Sequence, residues 1–185
     1  MSIGFRDASA LCRPLAQSDI DYLISKGVPP LALACTWDGT SSPIVRAHVV
    51  ETAPHRFEFA EWMRGEAGQS ALIIEALDAF GEVSDLIAWN RYMLASWLGR
   101  SPILGEEQLA GFRMVDHVKV HETVLAWLAE GRDGVVVIDE GRAGELLRPV
   151  PMVAASVQHG RRLRRICTPP APRILVPTIG QRAAA

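Results

Sequence analysis

The chain has 185 residues, of which 49% are hydrophobic and 22% charged, with a formal net charge of −2. These values fit one globular domain with a buried core and exclude a disordered chain. No apolar run reaches the ~18 to 20 residues that cross a bilayer, and the N-terminal stretch MSIGFRDASALCRPL carries acid and arginine where a signal peptide keeps apolar side chains, so the expectation is a cytoplasmic protein with no membrane partner.

Residues 1 to 17 read as irregular. SDIDYLISKG reads as a short helix with Ser18 as N-cap, Asp19 and Asp21 at its positive end, and Lys26 and Gly27 at its stop. Pro29-Pro30 then blocks continuation. From 44 to 98 the pattern is that of strands. IVRAHVVET is β-branched, RFEFAEW alternates, and two apolar runs in ALIIEALDAFGEVSDLIAW are broken by Phe80-Gly81-Glu82, a hairpin signal. After a turn at Asn90-Arg91, MLASWLG reads as a further strand. The second half alternates: a helix in ILGEEQLAGF, a strand in HVKVHE, a helix in TVLAWLAEG between Thr123 and Gly131, and a buried strand in DGVVVIDE. GRAGELLR is a brief helix ended by prolines, and VAASVQHGRRLRRI reads as a helix from Val153 with Val157, Leu163 and Ile166 on one side. Ile174-Leu175-Val176 offers an edge strand, and the last eight residues a flexible tail. The expected fold is a single α+β domain over 1–177 with a tail over 178–185. Its mainly antiparallel sheet runs from about 44 to 139, with helices on one face and a basic C-terminal helix.

Charge is divided along this chain. All 21 acidic residues lie at or before Glu145, while the last 40 residues carry seven arginines and no acid. A body of −9, from 12 basic and 21 acidic residues, is thus followed by a segment of +7. Such a division suits a basic arm for an acidic partner or an arm folded onto its own body. The densest cluster is Arg161-Arg162-Leu163-Arg164-Arg165. Within a helix, these four arginines suit contacts to backbone phosphates, but no aromatics interleave to stack bases. The competing reading is a solvated helix face, or bridges to the acidic body.

Other candidate chemistry is sparser. Cys12, Cys35 and Cys167 lack zinc spacing and read as three reduced thiols. His117 and His121 point the same way on a strand but lie roughly 13 Å apart at ~3.3 Å per residue, too far for one metal, and read as strand-surface histidines. Glu75 in LIIEAL and Asp85 in VSDLIAW interrupt apolar runs. A carboxylate on an apolar face must be paired, protonated or metal-bound, so the two together suggest a magnesium or manganese site. The plainer reading is a one-sided sheet that turns them to solvent, and MLASWLG supplies no lysine of the restriction-nuclease kind. GRDGVVVIDEGRAGE is neither a dinucleotide fingerprint nor a P-loop, and Asp139 and Glu140 suit a turn and helix cap. The five tryptophans read as core anchors. No motif names a cofactor or a catalytic residue.

Taken together, SDIDYLISKGVPPLAL, GEVSDLIAWN, SWLGRSPILGEEQL, VLAWLAEGRDGVVVIDEGRAGELL and VAASVQHGRRLRRICTPPAPRILVP resemble alphaproteobacterial proteins of integrated, phage-like elements, often encoded beside phage-type primase (Toprim) genes. The resemblance implies a setting in mobile DNA and carries no catalytic residue. The leading expectation is a non-enzymatic accessory protein that binds nucleic acid. Two alternatives stay open: a metal-dependent enzyme on nucleic acid using Glu75 and Asp85, and an oligomerising module whose basic segment docks on an acidic protein surface.

Overall fold

The computed structural model describes residues 4–34, 43–63, 67–110 and 117–169. Cys35, Trp37, the strand expected at Ile174-Leu175-Val176 and the tail 178–185 lie outside the described residues.

A short helix, α1 (Phe5–Ser9), and a two-residue strand, β1 (Arg13–Pro14), precede helix α2 (Gln17–Ser25) and helix α3 (Pro30–Ala34). Helix α2 starts one residue before the expected Ser18 cap because the Asp19 carboxylate reaches back to accept the Ala16 N–H at 3.1 Å. Pro30 ends nothing further: it opens α3, a position where the missing N–H costs no helical bond.

Five strands then build a barrel: β2 (Val45–Ala53), β3 (Arg56–Phe59), β4 (Gln69–Leu77), β5 (Val83–Trp89) and β6 (Leu94–Ser96). Antiparallel pairs run β3–β2–β4–β5–β6, with Val49 opposite Phe59 and Ile73 opposite Ala88. A parallel contact between Arg56 of β3 and Ser96 of β6 closes the ring, and β1 lies alongside β2. Alternation along each strand sends Val49, Phe57, Phe59, Ile73, Leu86, Ala88 and Ala95 inside, where α1 adds Ala8. Phe59 meets Trp62 and Trp97 edge-on at 5.0 and 5.7 Å, contacts each worth about 0.5–1.5 kcal/mol beyond their burial.

A second, four-stranded sheet follows in the order β10-β8-β9-β7. Its strands are β7 (Ile103–Leu104), β8 (Val118–His121), β9 (Val135–Val137) and β10 (Met152–Ala154). Helix α4 (Glu107–Ala110) follows β7, and helices α5 (Val124–Ala129) and α6 (Glu140–Leu147) cross between the later strands. These crossovers make β8, β9 and β10 parallel, as strand–helix–strand connections require. Helix α7 (Val157–Cys167) closes the described chain. Val136 and Ile138 pack with α2, α3 and α5, whereas Val135 and Val137 pack with α6 and α7, so helices cover both faces.

The chain is thus α+β, but the expectation of one mainly antiparallel sheet with helices on one face is corrected. One sheet is a closed barrel with a parallel seam, and the other is mostly parallel and sandwiched. The expected helix from Val153 also divides. Met152–Ala154 is a strand beside β8, and Ser156 caps the helix that begins at Val157, accepting the His159 N–H at 3.1 Å.

Candidate functional site

Helix α7 has two different faces. Leu163 and His159 are buried, and Ile166 and Cys167 are half-buried against Ala143, Leu146 and Leu147 of α6. The approach is close because residue 144 is glycine: a methyl there would run into the Ile166 carbonyl. At the N-terminus the Ser156 hydroxyl also donates to Glu122 at 2.7 Å, and at the C-terminus Arg148 donates to the Cys167 carbonyl at 3.1 Å. Arg161, Arg162, Arg164 and Arg165 are all exposed. Arg162 turns to Glu140 of α6, with Nε 2.5 Å from Oε1. Arg161, Arg164 and Arg165, spaced i, i+3, i+4, share the outward face, and among the described residues none of the three has an acidic partner within ion-pair distance.

Glu75 and Asp85 are not brought together. In the β4–β5 register Glu75 faces Leu86 and Asp85 faces Ala76, so the two carboxylates project from opposite faces of the sheet. Glu75 lies on the barrel-interior face, in a cleft with Cys12 and Arg13. Asp85 is fully buried and accepts from the Ser96 hydroxyl at 2.7 Å and from the N–H groups of Leu86, Leu98 and Arg100 at 2.7–2.8 Å, with Ser101 N–H at 3.3 Å. Five donors satisfy the carboxylate and tie the 96–101 loop to the barrel wall. Among the described residues no three His, Cys, Asp or Glu side chains are grouped to hold a metal ion.

The opposite side of that loop meets two arginines that sequence reasoning passed over. Arg56 donates to the Trp97 carbonyl at 2.9 Å, and Arg142 donates to the carbonyls of Gly99 and Arg100. Gly99 adopts φ +66°, and any side chain there would collide with the Arg56 guanidinium. Both arginines line a cleft of about 290 Å³ with His55, Ser96, Ser101 and Asp139. The cleft lies where the barrel meets the carboxyl end of β9, the end of a parallel sheet at which α/β folds place ligands. In sequence Arg142 sits in the brief helix GRAGELLR, and Arg56 in an alternating strand. Neither has a local signal, because the loop that unites them is fixed by Asp85 from a third strand.

The remaining candidates are structural. His121 is buried, not on the strand surface, and its Nε2 lies 2.7 Å from the Asp133 carbonyl, while His117 is exposed just before β8. Burial lowers the pKa of His159; Glu122 opposes this, and Arg162 and His121 add to it. Burial, with Glu61 and Glu75 nearby, pushes the Cys12 thiol up to about 11, which makes it a poor nucleophile. Cys12 and Cys167 are both free thiols. Trp97 and Trp127 are core residues, as expected for anchors. No helix among the described residues is long and apolar enough to cross a membrane. No family model matches this chain, and no curated protein or solved structure matches it either.

Proposed function

We propose that the chain is a nucleic-acid-associated binding protein that holds a phosphate backbone on the outer face of α7, in the mobile-DNA setting its sequence phrases imply. The observation that carries this reading is the separation of roles within one helix. Leu163, His159 and Ile166 dock it, Arg162 pairs inward with Glu140, and Arg161, Arg164 and Arg165 are left outward. Like charges at i, i+4 destabilise a helix by roughly 0.2–0.5 kcal/mol per pair, so an anion facing the stripe would remove a cost the free protein carries. Cβ atoms ~5–6 Å apart suit successive phosphates of one strand, and backbone contacts of this kind position without reading sequence. Arg164 and Arg165 also lie in the last turn, where the helix dipole favours cations.

The Arg162–Glu140 pair supports a limited form of the arm-on-body alternative, since one of the four arginines is engaged with the acidic body. An exposed pair of this kind contributes about 0–1 kcal/mol, too little to account for the whole cluster. The test is affinity for duplex and single-stranded oligonucleotides across a salt series. Three phosphate contacts predict that log affinity for duplex falls with log salt at a slope of about −2 to −3. Absence of binding at about 50 mM salt, where such contacts are strongest, would reject the reading.

A further inference from the structure

The cleft at the junction of the barrel and the second sheet has a charge pattern that the α7 surface does not explain. Arg56 and Arg142 come from β3 and α6 and converge on three carbonyls of one short stretch, those of Trp97, Gly99 and Arg100. Among the described residues neither has a carboxylate within ion-pair distance. Two cations held beside one another, at a cleft, favour an anion between them.

The arginines are fixed but not used up. A guanidinium has five N–H donors; the loop carbonyls take one from Arg56 and two from Arg142. The loop itself is immobilised from behind by Asp85, whose oxygens hold Leu98, Arg100 and Ser101, and Ser96 in turn accepts the Gly99 N–H at 2.6 Å. Donors pinned by a rigid second layer are what a preorganised oxyanion site requires. His55 adds a ring at the rim: its Nδ1 lies 3.4 Å from the Leu94 carbonyl, so with Nδ1–H donating there Nε2 can donate to an anion only as the imidazolium. Ser96 and Ser101 are committed to the loop, through Asp85 and through the Ser84 hydroxyl.

Nearby acids offset only part of this charge, since the described lining holds two arginines against one aspartate. Asp139, the one carboxylate among the described residues lining the cleft, accepts the Gly141 N–H at 2.9 Å as the cap of α6, and Glu140 is turned to Arg162. Arg142 also bears on Glu106, whose pKa burial and Asp78 raise and Arg142 lowers.

We propose that this cleft binds a phosphate monoester, its dianion received by the free guanidinium donors of Arg56 and Arg142 with His55 at the rim. A volume of about 290 Å³ takes a phosphoryl group and an attached sugar. A free nucleotide and the 5′-end of a nucleic acid share this chemistry.

The test titrates the full chain with inorganic phosphate, with AMP, and with a 5′-phosphorylated against a 5′-hydroxyl oligonucleotide, following backbone amide shifts. Saturable binding of AMP is expected, with shifts at His55, Arg56, Gly99, Arg100 and Asp139 to Arg142. Arg142→Gln should weaken it about tenfold or more, as loss of a charge-assisted fork does. Replacing Arg161, Arg164 and Arg165 with Gln should leave it unchanged, so failure here and failure of the α7 reading are distinguishable. Equal binding of AMP and the 5′-phosphorylated end identifies a site for the phosphoryl group itself, and preference for the 5′-phosphorylated over the 5′-hydroxyl oligonucleotide, kept when Arg161, Arg164 and Arg165 are replaced by Gln, identifies a terminus site. No saturable response to any phosphorylated probe by about 10 mM, shifts confined to α7, or an Arg142→Gln protein that binds like wild type would overturn the proposal. Should Arg142→Gln not fold, the shift map of the wild-type protein decides alone.

Discussion

Asp85 shows what a single residue in this chain conveys and what it conceals. A carboxylate inside an apolar run is visible in the sequence, and so is the demand that it be satisfied. Its partners are not visible, because four of the five donors come from residues 11 to 16 positions later, in a loop without periodicity. Asp85→Asn keeps the shape but turns an amide N–H₂ toward N–H donors. A loss of about 3 kcal/mol or more is expected, read as a fall in the urea midpoint with unchanged slope; a variant as stable as wild type would show that the loop is held by other contacts. Cys12 gives a second residue-scale expectation. With its pKa at about 11 in place of 9.0, its thiolate fraction at pH 8 falls by about 100-fold. Alkylation of the folded protein should therefore be slow at Cys12, and a rate equal to that of a free thiol would contradict the burial assigned to it.

At the scale of elements, α7 was legible as charge and less so as packing. The arginine cluster and the apolar Leu163 and Ile166 stand out in the sequence, but the boundary between β10 and α7 does not, because Val153 and Ala154 suit either. A three-residue strand is shorter than any period that could reveal it. The α6–α7 contact depends on Gly144. Alanine there gains up to ~1 kcal/mol of helix propensity but meets a backbone carbonyl, and overpacking costs about 1–3 kcal/mol, so Gly144→Ala should be net destabilising in denaturant titration. His159, which accepts the Ala155 N–H at 3.3 Å, makes the seating of α7 sensitive to pH. Its folded-state pKa lies below the unfolded value of ~6.5, so the unfolded chain binds the proton first. Its contribution is complete above ~6.5 and declines as the pH falls from there toward the folded-state value. His159→Gln should flatten that decline between about pH 7 and pH 5; a variant with the wild-type acid profile would assign the effect to other groups.

At the scale of the whole molecule the two sheets share a core. Ile74, Ala76 and Ile87 from the outer wall of the barrel, Leu23 and Leu33 from the N-terminal helices with Val28 between them, and Val124, Trp127, Leu104 and Val136 from the second sheet and its helix form one cluster. One unfolding transition is expected, coincident by fluorescence and far-ultraviolet circular dichroism; separate transitions would show that the barrel and the α/β layer are independent. The sequence disclosed the strands of the barrel hairpins and the alternation beyond them, since both are local patterns. It did not disclose closure, because the β3–β6 seam joins residues 40 positions apart through a single pair, Arg56 with Ser96. The division of charge along the chain was plain at the outset. Its consequence in three dimensions is that an acidic body carries a helix with one arginine turned inward and three turned outward. The measurement that tests this most directly compares Arg161, Arg164 and Arg165 replaced together by Gln with Arg162→Gln alone, for urea stability and for duplex affinity across salt. The triple replacement should leave stability within about 1 kcal/mol of wild type and flatten the salt slope by about 2 to 3, while Arg162→Gln should change the slope little. A triple variant that unfolds readily, or that binds duplex with the wild-type salt dependence, would contradict the account.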